Sequence, residues 1–167
     1  MLTKEQLKYI KKFSVINSAQ EPDVVMFHVL ALLYTRIERI INNYLKSYGL
    51  SSAQFNILMV LKSYGGANSV NQVEISKKML VSQCNITRLI DKLYKDKLVT
   101  KKEDKKDRRN KLIKLTAKGE SLCSLLWPKY RALILALSKN VPMAAKGNIS
   151  QGLMKWLYCL EKGDENN

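Results

Sequence analysis

The chain has 167 residues, 46% of them hydrophobic, and it carries 29 Lys and Arg against 14 Asp and Glu. This composition excludes a disordered chain, and the length fits one folded unit. Three distant cysteines, a single histidine and no C-x-x-C pair argue against a zinc ribbon and against a disulfide framework. We therefore expect neither a metal site nor a cofactor.

Motifs that mark the common enzyme classes are missing from the sequence, including G-x-S-x-G, the P-loop, H-E-x-x-H and the dinucleotide-binding glycine pattern. We expect a protein that is not an enzyme and has no catalytic residues. We also expect no signal peptide, and no apolar run reaches the roughly 18–20 residues that a membrane-spanning helix needs. Together with the cysteine usage, this predicts a cytoplasmic protein without a membrane partner.

The first two predicted elements are helices. Apolar residues recur at a spacing of three to four from Met26 to Tyr48, which predicts one long amphipathic helix ended by Gly49. Its apolar stripe is wide for a lone surface helix, so we expect another subunit to cover part of it. Ser51-x-x-Gln54 then has the form of a capping box and opens a shorter helix that stops near Gly65.

Two further helices follow in a helix-turn-helix pattern. Asn71 is the expected N-cap of a short helix to about Met79, and Ser82 is the expected N-cap of a helix to about Asp96. A short helix, a tight connection and a second helix with a polar outer face make up this motif. The inward face of the second helix is apolar and consists of Ile86, Leu89, Ile90 and Leu93.

A basic hairpin is predicted next. Leu98–Lys102 and Lys111–Leu115 are short and β-compatible, and a polar loop separates them. Residues 71–118 hold 15 Lys and Arg against 6 Asp and Glu, and Lys97–Lys118 alone holds 10 against 3. Such an excess is typical of a surface that meets a polyanion. The alternative is that the lysines only solvate the surface and protect the hairpin edges from pairing with other chains.

The last predicted elements are helical. Thr116 is the expected cap of a helix in which Pro128 should cause a kink or a split, because its ring removes a backbone donor. A break at residues 140–142 precedes a final helix whose start is obscured by Gly147 and Gly152. The predicted fold is therefore mainly α with a small β-hairpin wing, in the order four helices, hairpin, two helices.

The second helix of the motif has the chemistry that reading DNA requires. The B-DNA major groove is about 12 Å wide and admits one α-helix, whose N-terminal residues meet base edges. Gln83 and Asn85 can pair with adenine and Arg88 with guanine, while Ser82 and Thr87 can reach phosphates or bases. An ordinary amphipathic helix with a solvated face is the alternative. The basic hairpin favours DNA, because a wing places Arg in the minor groove and Lys on phosphates.

Residues 49–55, 81–93 and 107–119 resemble the MarR (multiple antibiotic resistance regulator) family, most specifically in the pattern D-R-R…L-T-x-x-G. The resemblance implies a homodimer in which helices from 1–48 and 117–167 interlock and 49–116 forms a winged helix-turn-helix. It implies that Asp107 braces the wing and Arg109 enters the minor groove. The expected recognition-helix residues are Ser82, Gln83, Cys84, Asn85, Thr87 and Arg88. The expected wing residues are Lys105, Lys106, Asp107, Arg108 and Arg109.

The function that follows is sequence-specific DNA binding by a transcriptional regulator. The resemblance implies a repressor, dimeric on a pseudo-palindromic operator, that a small aromatic or anionic effector can release. We expect Tyr34, Arg36, Ile37 and Phe55 to line the effector pocket, although aromatic residues at helical spacing are more commonly core. A non-specific architectural DNA binder and a winged-helix protein-docking adaptor are the alternatives. The polar residues of the recognition helix favour sequence reading.

Overall fold

The computed structural model describes residues 3–13, 21–65, 68–79, 83–104 and 110–164. The helices are α1 (Lys4–Lys11), α2 (Pro22–Lys46), α3 (Ser52–Val60), α4 (Gln72–Met79), α5 (Gln83–Lys95), α6 (Ala117–Leu137) and α7 (Met143–Asp164). The strands are β1 (Val70–Asn71), β2 (Val99–Glu103) and β3 (Lys111–Leu115). A π-helical turn, Leu61–Gly65, extends α3. Within these ranges, no helix is long and apolar enough to cross a membrane.

The chain divides into two compact units, Met1–Cys123 and Ser124–Asn167. The core of the first unit lies where α3, α4 and α5 contact one another beside the sheet. The sheet contributes the buried Ile113 of β3 to this core. The helices contribute the apolar side chains that their spacing turns inward, which include Phe55, Ile57, Ile75, Ile86, Ile90 and Leu93. In the second unit, the rings of Trp127 and Tyr130 stack with centroids 6.3 Å apart. The predicted division into 49–116 and the flanking helices remains a prediction.

The junction between α2 and α3 confirms two capping predictions. Gly49 has φ +72°, and the N–H of Leu50 donates to the carbonyl of Leu45 at 3.2 Å, which closes α2 with a left-handed cap. The Ser51 hydroxyl accepts from the N–H of Gln54, whose side chain in turn accepts from the N–H of Ser51 at 2.9 Å. This reciprocal capping box fixes where α3 begins.

The sheet has three antiparallel strands in the order β1-β3-β2. The hairpin of β2 and β3 was expected and is confirmed, with Val99 opposite Leu115 and Lys101 opposite Ile113. The third strand, β1, was not predicted. It pairs Val70 with Ile113, so the buried side chain of Ile113 lies on the central strand. The sheet thereby joins the start of the helix-turn-helix to the hairpin.

Helix boundaries agree with the sequence patterns except at α1 and Pro128. Helix α1 was not predicted, although Thr3 and Gln6 form a second capping box at its start. The predicted N-cap Asn71 is confirmed, because its Oδ1 accepts from the N–H of Val73 at 2.8 Å. Helix α6 runs from Ala117 to Leu137 with Pro128 inside it, so the split that was one expected effect of this proline does not occur.

The end of α5 carries a left-handed residue that is not glycine. Lys97 has φ 59°, its N–H donates to the carbonyl of Tyr94, and the N–H of Leu98 donates to the carbonyl of Leu93, both at 3.0 Å. These bonds form the same left-handed cap that Gly49 provides for α2. A side chain with a Cβ in this conformation costs roughly 1–2 kcal/mol.

We therefore predict that Lys97→Gly raises the free energy of unfolding by about 0.5–1 kcal/mol, after the larger backbone entropy of glycine in the unfolded chain is subtracted. Guanidinium unfolding at fixed protein concentration measures the change. The matched control is Gly49→Ala, which has open space around the added Cβ but the same positive φ, and should lose about 1 kcal/mol. A Lys97→Gly protein no more stable than the parent would contradict the prediction.

Candidate nucleic-acid interface

Helix α5 separates an apolar face from a polar one. Ile86, Ile90 and Leu93 are fully buried, whereas Asn85 and Arg88 are exposed. The structure thus holds α5 against the core through one face and leaves two of the predicted base-reading side chains accessible on the other. Gln83 and Cys84 are the first two residues of α5, and Ser82 lies outside the described residues.

A hydrogen bond to Thr87 connects the two helices of the motif. The Nε2 of Gln72, at the start of α4, donates to the Oγ1 of Thr87 at 2.7 Å. Thr87 is half-buried, so its hydroxyl sits between the helices and at the edge of the exposed face. The bond fixes the position of α5 against α4. Sequence reasoning assigned Thr87 to DNA and missed Gln72, whose only signal was its place directly after the N-cap.

The exposed face of α5 forms a shallow concave surface of about 510 Å³. Arg88 lies in it beside Asp91, Lys92 and Lys95. One of these lysines already has a partner, because Lys92 pairs at 3.0 Å with Asp96, the residue that follows α5. The surface therefore presents a guanidinium, which can bond two acceptors of one base or phosphate at once, in a mostly basic setting.

An ion pair connects the hairpin to α5. Lys101 of β2 pairs with Asp91 of α5 at 2.6 Å, and the Lys101 side chain is only 25% exposed. This ion pair connects the strand to the recognition helix. Neither residue was assigned a role from the sequence, because only the fold reveals that they are neighbours.

The predicted cap residue Thr116 is confirmed and has a second role. Its Oγ1 accepts from the N–H of Gly119 at 3.0 Å, which caps α6, and donates to the carbonyl of Lys97 at 2.8 Å. Its own N–H donates to the carbonyl of Leu98 at 3.1 Å. The L-T-x-x-G pattern thus marks the place where α5, β3 and α6 meet.

Part of the hairpin lies within the described residues. Lys111 pairs with Glu103 across the strands at 2.7 Å, and the hydrogen bond and charge of this lysine lower the pKa of the exposed Glu103 carboxyl. The N–H of Asp104 donates to the carbonyl of Asn110 at 3.0 Å. The predicted wing contacts, which are Lys105, Lys106, Asp107, Arg108 and Arg109, lie outside the described residues.

The sequence of the chain is similar to those of known transcriptional regulators. Residues 50–111 match the model of the MarR family. The HTH-type transcriptional regulator MhqR of Bacillus subtilis (strain 168) is 30% identical over 114 residues, which are 68% of this chain and 77% of MhqR. The chain belongs to the MarR family.

Other MarR-family comparisons agree. An uncharacterised HTH-type transcriptional regulator of Bacillus cereus (strain ZK / E33L) is 32% identical over 91 residues, and the alignment spans 54% of this chain and 58% of that relative. A crystal structure of mutant MarR from E. coli in complex with operator DNA superposes with a TM-score of 0.73 at 24% identity, covering 80% of this chain and 94% of that one. The likeness to that structure shows the winged helix-turn-helix fold.

The four residues predicted for an effector pocket in this MarR-family chain lie in different environments. Phe55 is 1% exposed and belongs to the core, because it lies on the inward face of α3. Tyr34 and Ile37 are 66% and 38% exposed on α2. Arg36 lines a cavity between α1 and α2. The buried Phe55 side chain therefore does not line an open pocket together with Tyr34, Arg36 and Ile37.

In the described part of the chain, no group of three or more His, Cys, Asp or Glu side chains is placed to hold a metal ion. Cys123 is buried and Cys159 is exposed, and both are free thiols. Burial raises the pKa of the Cys123 thiol, which keeps it protonated and unreactive.

Proposed function

We propose that this MarR-family protein is a sequence-specific DNA-binding transcriptional regulator that represses genes by occupying promoter DNA. The observation that carries the proposal is the exposed pair Asn85 and Arg88 on a helix whose opposite face is fully buried. A helix held this way can enter the major groove as a rigid unit. The E. coli neighbour in complex with operator DNA supports this use of the fold.

In the proposed complex, each part of the motif has one task. Ser82, which precedes α5, and the N-terminal half of the helix meet the major groove. The residues of α5 that take part are Gln83, Cys84, Asn85, Thr87 and Arg88. The wing lies over the neighbouring minor groove, where Arg109 inserts and the nearby lysines neutralise phosphates. Phosphate contacts supply most of the affinity and make it fall with salt, while base contacts select the sequence.

Exposed apolar side chains support the homodimer. Of the 20 large apolar side chains exposed in the described part of the chain, 18 lie in 1–48 and 117–167, and only Tyr64 and Tyr94 lie between them. Monomeric proteins rarely leave that much apolar surface uncovered. We propose that these helices form the dimer interface, so that two wings read a pseudo-palindrome with half-sites about 10 bp apart.

Two further features follow from the proposal. We infer a cytoplasmic location, because a regulator that binds promoters must have access to the chromosome. Release by a small aromatic or anionic effector requires the effector to bind more tightly to a wing spacing that does not fit the DNA, since only differential affinity shifts such an equilibrium.

The deciding experiment compares the DNA upstream of the gene with a scrambled duplex of equal length, over a salt series. We expect one dimer per upstream site, tighter binding to that duplex, and affinity that falls steeply with salt. Equal binding to both duplexes would indicate an architectural DNA binder. No binding at low salt would favour a protein-docking role for the winged helix.

The base-reading role of Arg88 can be tested in the same assay. We predict that Arg88→Ala weakens binding to the specific site by about 1–3 kcal/mol and relaxes base preference, because a bidentate base contact is lost. Binding to scrambled DNA should change much less. The matched control is Arg39→Ala on the exposed side of α2, which should leave both affinities unchanged. An equal loss on both duplexes would show that Arg88 contacts only the backbone.

A further inference from the structure

Gln72 is a polar side chain on the inward face of α4. It is the first residue of the helix and is half-buried, and its spacing places it on one face with Ile75 and Ser76, which are both buried. Its Nε2 donates to the Oγ1 of Thr87 in α5 at 2.7 Å. Its Oε1 is buried and accepts no hydrogen bond from any residue that the structure describes. Only one end of the side-chain amide is therefore paired.

The buried Oε1 of Gln72 reduces the stability that this position could provide. A buried acceptor without a partner loses its hydration and receives no hydrogen bond in return. Replacing Gln72 with methionine would keep the length and flexibility of the side chain and would remove the buried acceptor. Stability alone therefore favours an apolar side chain at this position, so we looked for a role of the glutamine at its paired end.

Thr87 lies where a small rotation of α5 would change the candidate interface. It lines the concave surface of α5 beside Arg88 and is half-buried at the edge of the exposed face. Ile86 and Ile90 hold α5 against the core by apolar contact, which has no preferred direction. A rotation of about 10° moves a side chain that lies about 6 Å from the helix axis by about 1 Å. This displacement exceeds the roughly 0.5 Å range of favourable N–H···O distances.

The hydrogen bond from Gln72 to Thr87 is directional, so it restricts the rotation that apolar packing allows. We propose that Gln72 is a positioning residue of the recognition helix. Through Thr87 it fixes the rotation of α5 about its axis, so that Asn85 and Arg88 face the base edges, while Gln72 itself contacts no base. The inference rests on the proposed function, because it concerns how α5 reads the major groove. It assigns the glutamine to sequence discrimination and not to stability.

The test measures two properties of Gln72→Met in the whole chain. One is the ratio of its affinities for the upstream and the scrambled duplex, and the other is the midpoint of guanidinium unfolding. We expect the affinity ratio to fall roughly fivefold, the usual worth of one hydrogen bond, because the upstream duplex binds less tightly. Affinity for the scrambled duplex should stay within about twofold of the parent, since the phosphate contacts are unchanged. The unfolding midpoint should equal or exceed that of the parent.

The matched control is Gln54→Met, the same substitution at a glutamine whose side chain has a structural role. Gln54 is 7% exposed, and its Oε1 accepts from the N–H of Ser51 in the capping box of α3. This variant should give the opposite result, a lower unfolding midpoint with an unchanged affinity ratio. Thr87→Val removes the acceptor at the other end of the bond. In that background Gln72→Met should cause no further loss, as expected of two residues that act through one interaction.

Four results would overturn the inference. For Gln72→Met, they are an affinity ratio within about twofold of the parent, an equal loss of affinity for both duplexes, and an unfolding midpoint that falls as in Gln54→Met. The fourth is a loss in the Thr87→Val background as large as the loss in the parent. Equal binding of the parent to both duplexes would instead overturn the proposed function and this inference with it, so the two failures can be distinguished.

Discussion

Replacing Gly119 with alanine is expected to destabilise the winged helix-turn-helix by about 2–3 kcal/mol. An added Cβ would meet the backbone carbonyl oxygen of Leu98 well inside contact distance, and would also press on the Leu115 side chain at 3.2 Å. A flexible side chain could move aside, but a backbone carbonyl cannot do so alone. Overpacking of this kind typically costs about 1–3 kcal/mol.

Gly119→Ala should lose stability for a second reason, because the Leu98 carbonyl that the added Cβ would contact also accepts a hydrogen bond. The Leu98 oxygen accepts from the N–H of Thr116 at 3.1 Å, so any shift that relieves the Cβ disturbs the joint between α5, β3 and α6. Thermal and guanidinium unfolding at fixed concentration would measure the loss. The control, Gly147→Ala on α7, has open space around the added Cβ and should gain roughly 0.5–1 kcal/mol from helix propensity. A Gly119→Ala protein as stable as the parent would show that the contact relaxes freely.

Phe55→Ala should lower the free energy of unfolding by about 3–5 kcal/mol, the usual range for a fully buried phenylalanine. Phe55 is 1% exposed and lies among the core side chains of α3, so its removal leaves a cavity that the neighbouring helices fill only in part. Chemical denaturation with an unchanged m-value would show that the loss is one of stability.

This experiment also separates two roles for Phe55. A residue that lines an effector pocket could be truncated at little cost to stability, whereas a core residue could not. The control is Tyr94→Ala on α5, whose ring is 53% exposed and whose removal should cost no more than about 0.5 kcal/mol. A loss below about 1 kcal/mol for Phe55→Ala would return the residue to the candidate pocket.

Much of the fold could be predicted from the sequence because its elements carry their own local signals. The spacing of apolar residues indicated α2 to α7, and the caps at Gly49, Ser51, Asn71 and Thr116 fixed several boundaries. These features depend on residues only a few positions apart. Pro128 shows the limit, since its local effect predicted a kink or a split, and α6 continues through it without a split.

The elements that sequence reasoning missed have weak local signals. Strand β1 has two residues, and its pairing partner Ile113 lies more than 40 positions away in the chain. Helix α1 has eight residues and few apolar ones, so its pattern is too short to distinguish from a polar segment. Local patterns therefore underestimate short elements whose pairing or capping is decided elsewhere.

The exposed polar side chains of the candidate site could be predicted from the sequence, but the contacts that hold α5 in position could not. The polar face of α5 was visible in the sequence, and the structure leaves Asn85 and Arg88 accessible. The bond from Gln72 to Thr87 and the ion pair of Asp91 with Lys101 join residues 15 and 10 positions apart. Such contacts become apparent only when the helices and the hairpin are packed together.

The apolar helices outside residues 49–116 have a consequence for how sensitively the proposed regulator would respond to its own abundance. When two protomers must associate before their pair of wings can read DNA, the concentration of the active dimer at low abundance follows the square of the protomer concentration. Halving the amount of protein would then lower the amount of dimer about fourfold. Exposed side chains such as Leu153, Leu157 and Leu160 would in this way sharpen the threshold at which a promoter is freed.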